Sequence, residues 1–256
     1  MPASDRQAAA AQPSAAAVLF ATMLTMPPQK LAAALSGDPA RAAILVRAAA
    51  EMGLPEGQVR LGRMLLEGEG APQDRQAAAG WFERAAAQGS AEAQNMLGRC
   101  FEHGWGVAAD AARAARCYAA AAAAGDAWAQ YNLGHLYLNG EGVARDAARA
   151  VALYRAAAAQ GHPRAMNLLG RCFEHGWGVA ADPREAAAWY RRSAEGGYFR
   201  GQFNLASVLV DAGEPAQAAA WLREALRNAP PKSRAAMLAA ARDWGLDAAD
   251  ATLPRS

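Results

Sequence analysis

A fourteen-residue string, LGRCFEHGWGVAAD, occurs at Leu97–Asp110 and again, letter for letter, at Leu169–Asp182. A diverged copy, LGHLYLNGEGVARD, runs from Leu133 to Asp146, and a looser one, LGRMLLEGEGAPQD, from Leu61 to Asp74. Gly62, Gly98, Gly134 and Gly170 are each 36 residues apart (98 − 62, 134 − 98, 170 − 134). A fixed period of ~20–50 residues is the signature of a stacked repeat array. Such an array grows by adding units that touch only their neighbours, so the usual one-or-two-domain reading of a 256-residue chain does not apply.

Within a unit the period changes to that of a helix. From Ala91 to His103, apolar residues fall at Ala93, Met96, Leu97, Cys100 and Phe101, the i, i+3, i+4, i+7, i+8 stripe. Gly98 lies inside that stripe, where glycine costs ~1 kcal/mol relative to alanine. Its recurrence points to close approach of a neighbouring helix. Gly104 is placed to end the helix in the left-handed conformation, and Asp110 to cap the next helix, which Gly125 stops. Tyr118 is the large apolar residue of that second helix and matches Phe82, Tyr154 and Tyr190 at intervals of 36. Aromatic residues make up only 7% of the chain, whereas the 53% hydrophobic fraction is rich in alanine, a composition that suits tightly packed helices.

Read in order, residues 1–13 are expected to be disordered, and 14–54 to hold capping helices and the second helix of a degenerate first repeat. Asp38 is its N-cap and Pro39 its first helical residue. Four full repeats follow at 55–90, 91–126, 127–162 and 163–198. A shortened unit at 199–229 has Ala206 where the glycine would fall. A final helix at 232–246 covers the end of the array, as terminal units must. The tail after Leu246 is expected to fray.

These units resemble the Sel-one-like repeat family, relatives of the tetratricopeptide repeats. The resemblance rests on AEAQNMLGRCFEHGWGVAAD and AWAQYNLGHLYLNGEGVARD, each followed by a helix containing AARCYAAAAAAG or AVALYRAAAAQG. It implies an all-α fold, an α-solenoid of antiparallel helix pairs wound as a right-handed superhelix. It also implies an adaptor role toward proteins, often in bacterial signalling, envelope and host-interaction settings. Ala71 departs from the usual valine, and the fifth unit is short. A second implied reading is an exported β-lactam-binding or β-lactamase-like protein, but that group carries a disulfide in every repeat. Here Cys100, Cys117 and Cys172 are the only cysteines, and an odd count without dense spacing is not a disulfide framework.

Other classes find little support. The net charge of +2, with acids and bases interspersed, provides no nucleic-acid stripe. The apolar run from Ser14 to Met26 is shorter than the ~20 residues of a membrane span and lacks a basic leader, so a cytoplasmic location is expected. His103 and His175 sit beside Glu102 and Glu174, but neighbours on a helix do not face one site, and neither a metal site nor a cofactor is expected. Arg99 with Glu102, and Arg171 with Glu174, are spaced to pair along the helix surface. Trp105 and Trp177 read as plugs between helices.

If the first helix of each pair lines the inner wall, Glu92, Asn95, Arg99, Glu102 and His103 face a groove. So do Trp128, Tyr131, His135, Leu138 and Asn139 in the third repeat, and Arg164, Asn167, Arg171, Glu174 and His175 in the fourth. Arg200, Phe203 and Ser207 follow in the fifth. Trp128 and Tyr131 form an expected central aromatic pair flanked by arginines, the residue types that dominate binding energy. A peptide or helix of a partner protein would lie there, its backbone bonded by Asn95 and Asn167 and its acids drawn by Arg99 and Arg171. The competing possibility is that Trp128 only packs against the preceding helix pair.

Overall fold

The structure, a computed structural model, describes residues 14–246, and among these every regular element is an α-helix. The segment 1–13 and the tail after Leu246 lie outside the described residues. Three helices come first, α1 Ala15–Leu24, α2 Pro28–Ser36 and α3 Pro39–Glu51. The repeats supply α4 Pro55–Glu67, α5 Arg75–Ala87, α6 Ala91–His103, α7 Ala111–Ala123, α8 Ala127–Asn139, α9 Ala147–Ala159, α10 Pro163–His175 and α11 Pro183–Glu195. The chain then adds α12 Phe199–Asp211, α13 Pro215–Asn228 and α14 Pro231–Asp243. The helices gather into two compact units, α1–α6 up to Asp110 and α7–α14 from Ala111 onward.

Local chemistry sets the helix ends. Asp74, Asp146 and Asp182 accept the first free amides of α5, α9 and α11, and Ser90 and Asp126 do the same for α6 and α8. Gly68, Gly104, Gly140 and Gly176 close α4, α6, α8 and α10 in the left-handed conformation. Each following loop folds back through one repeated bond. The amides of Asp74, Asp110, Asp146 and Asp182 donate to the carbonyls of Leu65, Phe101, Tyr137 and Phe173, all at 2.8 Å.

The interior glycine is explained by the aromatic residue of its own hairpin. A methyl on Gly62 would sit 2.5 Å from the Phe82 ring, and one on Gly134 would sit 2.6 Å from the Tyr154 ring. Gly170 meets Tyr190 in the same way. Phe82, Tyr154 and Tyr190 are fully buried. The fifth unit makes the complementary choice, with Ala206 in place of glycine and Leu222 in place of the aromatic, both fully buried in one cluster.

Successive hairpins are tied by a recurring glutamine, buried at Gln58, Gln130 and Gln202 and half-buried at Gln94. Gln58 and Gln94 in the first unit donate to the carbonyls of Ala50 and Ala86, and Gln130 and Gln202 in the second to those of Ala122 and Ala194, at 3.3–3.4 Å. Gln58, Gln130 and Gln202 also accept a bond from Gln88, Gln160 and Asn228 respectively. Met166 occupies this position in the fourth repeat, and there Ser193 Oγ donates to the Pro163 carbonyl at 2.7 Å. Gln202 is 3% exposed, and Gln202→Ala removes both its bond to the Ala194 carbonyl and the one it accepts from Asn228. It is expected to lower the unfolding free energy by about 2 kcal/mol, read from urea denaturation followed by circular dichroism.

Candidate functional site

Three helices of the second unit, α10, α12 and α14, border an open cavity of about 450 Å3. Helix α10 contributes Asn167 and Arg171; α12 contributes Phe199, Arg200, Phe203 and Asn204; and α14 contributes Lys232, Ser233, Ala236 and Met237. The two asparagines are joined across the hairpins, Asn204 Nδ2 donating to Asn167 Oδ1 at 2.9 Å. Phe203 is held from behind by Trp244, whose ring stacks on it at 5.1 Å. The Arg171 guanidinium lies 5.0 Å over the Trp177 ring, and that of Arg200 lies 5.7 Å from the Phe199 ring. Among the described residues none of Arg171, Arg200 and Lys232 is held by a carboxylate. The cavity is thus lined by both cationic and aromatic side chains.

The structure assembles Asn167, Arg171 and Phe203 from the expected site residues but corrects the role of several. Asn95 and Asn167 are largely buried, at 7% and 4% exposure, and the Asn167 oxygen is already taken by Asn204. Leu138 is buried too. Glu92 pairs with Arg63 of the preceding repeat at 2.5 Å. Arg99 lies over Trp105 at 5.1 Å, and Glu102 beside it is half-buried. His103 and His175 rest against Trp105 and Trp177 at 4.7 and 4.6 Å. Trp177 also packs on the core of its own unit. The expected pairing of Arg171 with Glu174 gives way to others, since Glu174 Oε2 accepts from Tyr190 Oη at 2.6 Å and lies 3.4 Å from His175 Nε2.

That last contact shows what Glu174 is for. The residue 36 earlier is Leu138, and Tyr154 Oη, in the position of Tyr190 Oη, is buried without a partner. Burial pushes the Tyr154 phenol well above its ordinary range, and the same burial, with the Glu174 carboxylate, raises that of Tyr190. The first repeat avoids the problem by pairing Leu66 with Phe82. Tyr154→Phe is therefore expected to stabilise the protein by about 1 kcal/mol, and Tyr190→Phe to destabilise it by a similar amount. Urea midpoints of the two variants check the opposite signs.

The Trp128 and Tyr131 pair belongs to a different cluster, built around a residue the repeat pattern did not single out. His162 stands in the N-cap position held by Ser90 and Asp126, and its Nδ1 accepts from the Ala165 amide at 3.2 Å. Tyr131 stacks on its ring at 5.1 Å, and Trp128 meets it edge-on at 4.5 Å. Trp128 therefore packs toward the following repeat, with Arg164 5.2 Å over its ring, and is still 48% exposed. His135 bonds Asn139 through Nε2 at 3.2 Å, while its Nδ1 is buried without a partner.

Burial, and then the nearby Arg164 charge, lowers the His162 pKa to about 4. The unfolded chain takes up this proton near pH ~6.5 and the folded one only near 4, so stability present above pH ~6.5 is lost as the pH falls toward 4. At pH 5 the loss from this group is about 2 kcal/mol. His162→Asn keeps an N-cap acceptor without the titration. The gap between wild-type and variant stability is expected to change by about that amount between pH 7 and pH 5.

The described residues include no helix long and apolar enough to cross a membrane. None of Cys100, Cys117 and Cys172 is in a disulfide, so the disulfide-dependent β-lactam reading gains no support. Burial pushes the Cys172 thiol up to about 11, which removes it as a nucleophile near neutrality.

Comparisons with known proteins converge on one kind of chain. The Sel1 repeat profile matches residues 55–90, 91–126, 129–162 and 163–198. A protective antigen present in uropathogenic Escherichia coli strains, with an SLR fold, is 28% identical and superposes with a TM-score of 0.71 over 92% of this chain. This chain spans 52% of that antigen's length. A Sel1 repeat protein from Oxalobacter formigenes is 26% identical with a TM-score of 0.68, covering 82% of this chain and 92% of its own. A sel1 repeat protein from Klebsiella pneumoniae, at 20% identity and a TM-score of 0.54 over 79% of this chain and 99% of its own, shares the fold. No curated protein matches in sequence.

Proposed function

Because the chain belongs to the Sel1 repeat family, whose repeats are generally non-catalytic protein–protein interaction modules, we propose that it is a scaffold holding a peptide or helical segment of a partner protein. The observation that carries this reading is the cavity between α10, α12 and α14. There, side chains from three helices converge on an open space that Phe199, Phe203, Arg171 and Arg200 all line. Arginine and aromatic residues in a partly enclosed site are the usual anchors of a protein interface. All of them stand on helices, so only side chains and not backbone need to be ordered at binding.

The test uses the tagged full-length protein as bait in an extract of its source cells. A partner retained by the wild type and lost from the Arg171→Ala, Arg200→Ala double variant, with helical circular dichroism unchanged, is the expected result. Equal retention of every recovered protein by both baits would refute the proposal for this face.

A further inference from the structure

The cavity also constrains what it binds, and the following rests on the scaffold reading. We propose that it takes an acidic peptide segment, with a carboxylate among Arg171, Arg200 and Lys232 and a neighbouring apolar side chain against Phe199 and Phe203. The first ground is charge. Three cations border one cavity of about 450 Å3, its lining contains no acid, and none of the three is paired within the described protein. Like charges gathered without counter-charge repel one another, and an anion relieves that repulsion.

The second ground is an amide donor at the cavity wall. Asn167 lines the cavity at 4% exposure and uses its oxygen for Asn204, which leaves its amide hydrogens without a protein partner. An amide that keeps access to the cavity can donate to a carboxylate or a peptide carbonyl. The third ground is the start of α14, where Pro230 offers no side-chain cap and Lys232 and Ser233 border the cavity. The positive end of a helix dipole adds to the same preference.

The apolar side of the site separates a peptide from the other anions. Phe199, Phe203 and Met237 supply a surface that inorganic phosphate cannot use. A nucleic acid needs cations strung along a backbone, whereas here they converge on one cavity.

A random heptapeptide library displayed on phage, selected on the full-length protein, tests the assignment. Peptides rich in Asp and Glu with an adjacent apolar residue are expected to enrich. A fluorescent synthetic copy of the leading sequence is expected to bind roughly tenfold more weakly to Arg171→Glu and to Lys232→Glu. Arg47→Glu, on the first unit, is expected to leave that binding unchanged. Enrichment of peptides without acidic residues, or acidic peptides held equally by the cavity variants, would overturn the assignment and leave the scaffold reading standing on another surface. Preference for a single-stranded oligonucleotide over the peptides, lost in the same variants, would also overturn it. Failure to enrich any peptide counts against both readings.

Discussion

Alanine at Gly134 lowers the unfolding free energy by about 2 kcal/mol, although alanine is the better helix former by ~1 kcal/mol. The added methyl falls 2.6 Å from the ring of Tyr154, which is fully buried and has no free space to retreat into. The single change Tyr154→Leu costs about 2–4 kcal/mol through the cavity it leaves. Together the two changes recreate the Ala206 and Leu222 arrangement that the fifth unit already uses. The double variant is therefore expected to be more stable than the sum of the two losses predicts, by about 2 kcal/mol of coupling. Urea unfolding of the four proteins in the cycle measures this directly. Additive losses would mean that the glycine is present for some reason other than the ring.

Alanine at Gly178 is expected to cost about 3 kcal/mol, and alanine at Gly161 only about 1. Both glycines have positive φ, +70° and +83°, so both variants carry the same backbone strain. They differ in surroundings. A Cβ at Gly161 meets nothing within 4 Å, whereas one at Gly178 runs into the backbone of Ala147, the first residue of α9 in the preceding hairpin. Gly70, Gly106 and Gly142 meet Pro39, Arg75 and Ala111 in the same way, so this second loop glycine is the seat of each hairpin on the one before. Backbone cannot move aside as a side chain can, and the hairpins must separate. Thermal or urea unfolding of the two variants checks the ranking, and equal losses would show that strain alone decides.

Much of this was legible in the repeat. The helical period, the caps and the left-handed glycines all follow from residues recurring every 36 positions, whereas the ring that the interior glycine accommodates is identified only by the packing. The candidate site was legible only in part. The repeat offsets put Asn167, Arg171 and Phe203 on one groove face, and all three line the cavity, but they do not show that Asn204 takes up the Asn167 oxygen. Lys232 carried a faint signal as one of only two lysines in the chain. It could not be placed, because α14 lies outside the repeat and its docking is set by packing rather than period.

The amino-acid sequence by itself determined the all-helical repeat, because hydrophobic periodicity, capping and glycine placement are local and each copy repeats them. Only the tertiary structure decided which polar groups would find partners. Glu174 reaches Tyr190 while Tyr154 is left without an acceptor, and Asn204 closes on Asn167. The physical reason is distance along the chain: those bonds join residues 16 to 37 positions apart. Their geometry exists only once the hairpins have packed.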